Sequence, residues 1–146
     1  MIEQFEGSQG QGALLNALRN QFLVDGNTEL AKKMAAVVMV KQFSPGSELF
    51  SEGHRGGELF FIIAGEVSIQ KRGREIAKCS IGTHVGEIGL LEPFKERSAT
   101  VVAIDTVVVA QITQLKFNEL AESYPTLWRH MALALAHRLV ASQDAV

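Results

Sequence analysis

Between Val37 and Thr113 no apolar run lasts long. Short runs cover Val37–Phe43, Glu48–Ser51, Leu59–Ile63, Val67–Lys71, Glu75–Cys79, Ala99–Ile104 and Val107–Ile112. Turn residues close them: Ser44-Pro45-Gly46, Gly53 with Gly56-Gly57, Ala64-Gly65, Gly73, Gly82 and Asp105-Thr106. Many short strands with Gly and Pro turns predict a sandwich or barrel rather than a parallel sheet. On either side the period changes. Leu14, Leu18 and Phe22 at i, i+4 and i+8 predict an amphipathic helix ended by Asp25-Gly26-Asn27. Thr28 is expected to cap a second short helix carrying Leu30 and Met34. After the strands, Gln114–Glu122 reads as a short helix, broken at Tyr124-Pro125, and Thr126 to about Ser142 as a longer one. The expected fold class is α+β: a β-roll (a jelly-roll-like antiparallel barrel) flanked by N- and C-terminal helices. Residues 1–12, polar and rich in Gly and Gln, are expected to form a flexible terminus, with one domain over 13–146.

The bulk properties narrow the function classes. A chain of 146 residues is one domain's worth and buries roughly 68–70% of its unfolded surface, so it needs no disulfide or metal staple. A net charge of −2 lacks the basic excess of an electrostatic nucleic-acid binder. Cys79 is the single cysteine, with no CxxC spacing, which points to a reducing, cytoplasmic setting. The stretch Met1–Gly7 has neither the basic nor the apolar region of a signal peptide, and no 18-residue apolar run predicts a membrane span. His54, His84, His130 and His137 show no HxH or HxxxH spacing, so no metal site is expected and all four read as structural or solvated. No nucleophile elbow or catalytic acid pair is evident, so no enzyme and no cofactor is expected.

The chemistry concentrates in Val85-Gly86-Glu87-Ile88-Gly89-Leu90-Leu91 and, shortly after, Arg97-Ser98-Ala99-Thr100-Val101. A single helical turn from Glu87 would leave its first N–H groups without internal partners and favour an anion there. Gly86 and Gly89 carry no side chain to block close approach. Arg97 brings a planar donor fork suited to phosphate oxygens. An ionised Glu87 accepts hydrogen bonds only, so it would repel a phosphate and suits a hydroxyl at the other end of the ligand. Each residue alone is ordinary turn punctuation or a solvated charge. Their joint spacing is what makes the pattern specific.

That order, Gly-Glu-Ile-Gly-Leu-Leu followed by Arg-Ser-Ala-Thr-Val, resembles the phosphate-binding cassette of the cyclic nucleotide-binding domain family, and within it the catabolite activator branch. Glu52-Gly53 and Gly57–Val67 are similar to the family's glycine-bearing strand connections, so the likeness runs over about residues 10–143. It implies that Glu87 holds the ribose 2′-hydroxyl and Arg97 the cyclic phosphate. Gly86, Ile88, Gly89 and Ser98 would complete the cradle, with Val85 and Ala99 beside it. Ser142 and Gln143 would contact the base from the last helix, and Ala77, Lys78 and Cys79 would line its pocket. Val85 stands where an aromatic is common, and Glu58 where many members have Asp.

The last helix, Thr126–Ser142, is apolar around most of its circumference, with Trp128, Ala132, Leu135 and Leu139 in one seam. It therefore needs burial on more than one side, by packing on the roll and by covering the ligand or pairing in a homodimer. The resemblance implies a regulatory sensor of a 3′,5′-cyclic nucleotide, cAMP first, that repositions this helix toward a dimer partner or effector domain. Two alternatives stand beside it. One is a ligand-independent dimerisation or scaffold module, against which the intact Glu87 and Arg97 pair argues. The other is the sensor of a bacterial antiphage effector answering a cyclic pyrimidine nucleotide. No segment after the last helix supplies a helix-turn-helix, so no direct nucleic-acid contact is expected.

Overall fold

A computed structural model describes residues 1–142. Its centre is a pair of four-stranded antiparallel sheets, the β-roll expected from the turn spacing. The strands are β1 (Met39–Phe43), β2 (Glu48–Phe50), β3 (Leu59–Ala64), β4 (Val67–Lys71), β5 (Arg74–Cys79), β6 (His84–Val85), β7 (Thr100–Ala103) and β8 (Val107–Ile112). One sheet runs β1-β8-β3-β6 and the other β2-β7-β4-β5. The strand not foreseen is β6. Two residues are too few to show a period, and its existence rests on pairing Phe60 with Val85 and Phe61 with His84. The helices are α1 (Gly7–Arg19), α2 (Thr28–Ala35), α3 (Glu87–Leu91), α4 (Gln114–Ser123) and α5 (Thr126–Ala141). Residues 1–12, expected as a flexible terminus, hold a 3-10 turn over Ile2–Phe5 and the start of α1.

Strand β3 explains the two cores. All of Leu59–Ala64 is buried, and alternate side chains serve opposite faces. Phe60 and Ile62 join Val67, Val85, Val101, Val107 and Val109 between the sheets. Leu59, Phe61 and Ile63 join Leu18, Leu30, Met34, Phe117, Leu127 and Met131 under the helices. Each such large side chain contributes about 1.5–3 kcal/mol by leaving water. The helices are thereby fastened to one sheet, and α5 is held by its Leu127 and Met131 face.

Two local expectations are corrected, and the faces of α5 are told apart. Asn27, not Thr28, caps α2: its side chain accepts from the backbone N–H of Leu30 at 3.0 Å, the usual N-cap geometry. Phe22 is not part of the α1 stripe. The helix ends at Arg19, because the Phe22 N–H donates to Gly82 O and the buried Gln21 side chain donates to Ile62 O. Tertiary partners thus outcompete one more helical turn. On α5 the buried seam is Leu127–Met131, whereas Trp128, Leu139 and Val140 lie exposed among the described residues.

Candidate functional site

The site starts from β6. Its pairing with β3 delivers the chain at Gly86, which takes φ +101° and starts the five-residue turn α3. A side chain at Gly86 would be strained by that φ, and its Cβ would lie 2.8 Å from Glu58 O and 3.1 Å from Arg97 Nη1. A Cβ at Gly89 would overlap both Gly56 O and Arg97 Nη1. The two glycines therefore give the Arg97 guanidinium room against the backbone of α3.

Arg97 is only 4% exposed. Its backbone N–H donates to His54 O at 2.7 Å and its carbonyl accepts from Gly53 N at 3.0 Å, which anchors the segment. Nη1 donates to Gly86 O at 3.3 Å. Nη2 donates to Glu58 O at 3.1 Å and pairs with Glu58 Oε2 at 3.3 Å. The guanidinium lies over the Phe50 ring, 4.3 Å from its centroid, a favourable cation–π placement. Nε is buried with no hydrogen-bond partner among the described residues. Burial lowers the pKa of Arg97, opposed by the charges of Glu58 and Glu87.

Glu87 is 6% exposed and belongs to a second charge cluster. Its Oε1 meets His84 Nδ1 at 2.5 Å and Arg138 Nη1 at 2.8 Å. Arg138 also donates through Nη2 to the carbonyl of His84 at 2.5 Å. Burial pushes the Glu87 carboxyl up, but the His84 hydrogen bond and the charges of His84 and Arg138 outweigh it. The carboxyl is held below its ordinary range and stays ionised at neutral pH.

Both clusters face one cavity of about 680 Å³, a size that suits a small organic ligand. Val85, Gly86, Glu87, Ile88, Gly89, Arg97, Ser98, Ala99 and Ser142 all line it, as do Ala77, Lys78 and Cys79 of β5. Gln143 lies outside the described residues. Leu135, Arg138 and Ala141 bring α5 to the same cavity. Burial raises the Cys79 thiol, with Arg138 and Glu87 acting in opposite directions on it.

Two residues escaped sequence reasoning. Arg138 had an available signal, since it precedes Ser142 by four positions and so shares its helix face. His84, read as structural or solvated, had none; its buried contact with Glu87 depends on α3 turning back over β6. Among the described residues no cluster of three or more His, Cys, Asp or Glu could hold a metal ion, and no helix is long and apolar enough to cross a membrane.

The sequence pattern of the cyclic nucleotide-binding domain matches residues 40–124. The chain is 35% identical over 146 residues to the Pycsar effector protein PaPycTIR of Pseudomonas aeruginosa, covering 100% of this chain and 47% of that protein. It is 29% identical over 112 residues to the cAMP-activated global transcriptional regulator CRP of Shigella flexneri, covering 73% of this chain and 53% of that protein. It spans about half the length of these relatives. Among solved structures, the catabolite activator protein of Thermus thermophilus superposes with a TM-score of 0.75 at 24% identity, covering 84% of this chain and 60% of that one.

Proposed function

We propose that this chain, which belongs to the cyclic nucleotide-binding domain family, is a regulatory sensor that binds a 3′,5′-cyclic nucleotide and signals through α5. One observation carries the reading: buried Glu87 and buried Arg97 face one cavity that α5 also lines. In this reading Arg97 meets the cyclic phosphate with its unpartnered Nε and one Nη. The α3 amides and Ser98 add donors, and Glu87 accepts the ribose 2′-hydroxyl at Oε2, since His84 and Arg138 both use Oε1. Ser142 and the β5 residues Ala77, Lys78 and Cys79 meet the base. The domain binds and releases its ligand without transforming it.

The likeness to a Pycsar effector protein over the whole chain favours the sensor whose output lies in an adjoining effector, the reading for which the family resemblance offers a cyclic pyrimidine nucleotide. The likeness to CRP supports cAMP as the second reading. The exposed Trp128, Leu139 and Val140 of α5 support a homodimer through this helix, because large exposed apolar side chains on one helix commonly mark an interface. Titration calorimetry against cAMP, cGMP, cCMP and cUMP tests the assignment. Saturable binding of at least one is expected, with a raised melting temperature. No binding by any of the four would overturn it in favour of a scaffold module.

A further inference from the structure

We propose that His84 is a positioning residue that sets this domain's preference for a ribose over a deoxyribose ligand by pinning the Glu87 carboxylate; this rests on the sensor reading above. His84 is 1% exposed, deeper than either charge it serves. Its ring stands edge-on to Phe61, with centroids 6.3 Å apart and planes at 77°. The backbone pairing of His84 with Phe61 fixes it in β6. From there Nδ1 reaches Glu87 Oε1 at 2.5 Å, while the carbonyl of the same residue accepts from Arg138 Nη2.

The consequence is geometric. A glutamate has three rotatable side-chain bonds, and a lone carboxylate facing a cavity would sample many orientations. Here Oε1 is fixed by two donors from different elements, β6 and α5. The second oxygen is then presented in one orientation, so a ligand hydroxyl meets a preorganised acceptor. Arg138 alone would not suffice. Its side chain is 36% exposed and rides on α5, the element that the sensor reading allows to move. His84 is buried on the helix-facing side of the sheet and belongs to β6, which is paired to β3, so its hold on Glu87 comes from the sheet and not from α5.

The test compares each ribonucleotide with its 2′-deoxy counterpart, using cAMP, cUMP and their 2′-deoxy analogues as probes. The wild-type chain is expected to prefer the ribonucleotide it binds. His84→Phe keeps an aromatic ring but removes the donor, and His84→Gln moves the nitrogen one bond outward. Both are expected to lower ribonucleotide affinity by about tenfold or more while leaving the 2′-deoxy affinity unchanged. His84→Asn places its amide nitrogen where Nδ1 stood and is expected to restore the preference. Circular dichroism establishes which variants fold; if His84→Phe does not, the Gln and Asn pair decides. Equal losses for both sugars, or no loss, would make His84 a packing residue and overturn the proposal. A wild-type chain that binds these probes without distinguishing the two sugars overturns the role given to Glu87 and this one with it. A wild-type chain that binds no cyclic nucleotide overturns the sensor reading itself.

Discussion

Replacing Arg97 with alanine separates two roles that the structure gives one side chain. The first is internal. The guanidinium serves Gly86 O, Glu58 O and Glu58 Oε2 at 3.1–3.3 Å and stacks on Phe50. Its loss strips donors from two backbone carbonyls, at about 1–3 kcal/mol for each that ends up buried and unpaired. Relief of the cost of burying a charge offsets part of this, leaving a net loss of about 2–4 kcal/mol. For a domain of this size each kcal/mol lowers Tm by about 2–4 °C. The second role is the phosphate. Removing a buried counter-charge costs about 2–5 kcal/mol of binding, or roughly 30-fold to several thousandfold in Kd. Arg97→Lys keeps the charge without the fork and should fall between wild type and Arg97→Ala. Calorimetry with the cyclic nucleotide that binds wild type, at a temperature where circular dichroism shows each variant folded, reads the second role. A folded Arg97→Ala with wild-type Kd would refute the phosphate assignment, however much Tm had dropped.

Glu87 yields a pH prediction. Its folded carboxyl lies below the ordinary value of 4.5, so its ionised form stabilises the fold above that value, and this contribution is lost as pH falls through the folded value. Glu87→Gln should therefore flatten the fall of Tm between about pH 5 and about pH 3; curves parallel to wild type would refute the linkage. Gly89→Ala puts a methyl into Gly56 O and Arg97 Nη1 and should cost about 1–3 kcal/mol in chemical denaturation, as overpacking does. An unchanged denaturation midpoint would show that the α3 contact gives way freely. Cys79 lines the cavity, so saturating cyclic nucleotide should slow its alkylation, followed by mass spectrometry; equal rates with and without ligand would remove β5 from the site. Leu139→Glu with Val140→Glu charges the exposed face of α5 and should convert a dimer to monomer in light scattering; an unchanged mass would refute pairing through this face.

The architecture was legible where local chemistry alone decides it. Val67–Lys71 and Val107–Ile112 begin and end in the structure where turn residues bound them in the sequence. The one-turn helix at Glu87 also stands where two glycines and an acid pointed. What escaped was set by distant partners. Phe22 leaves the α1 stripe because Gly82 and Ile62 supply hydrogen bonds from the roll, and β6 exists only as a pairing with β3. The site shows the same division. Spacing marked Glu87 and Arg97 as candidates, and the structure sets both on one cavity. It did not show what holds them: Glu58 and His84 are brought in by the topology, and Arg138 by the helix face it shares with Ser142.

That support separates the two charges of the site. Arg97 is held by Glu58, Gly86 and Phe50, all within the roll and its cassette. Glu87 is held partly by α5, through Arg138. On the sensor reading a phosphate then anchors the ligand to the static part of the domain, while the sugar hydroxyl enters the cluster that includes the last helix. The sugar contact, together with any base contact made from α5, differs between states of that helix whereas the phosphate contact does not, and only differential contacts move an equilibrium. The coupling is also reciprocal: whatever the docking of Arg138 does to sugar affinity, the sugar does to the docking of α5. Arg138→Ala should therefore weaken the protection that ligand gives α5 amides in hydrogen exchange more than it weakens binding itself. Arg97→Ala should weaken both in parallel, and the same parallel loss in Arg138→Ala would place the signal elsewhere than in the Glu87 cluster.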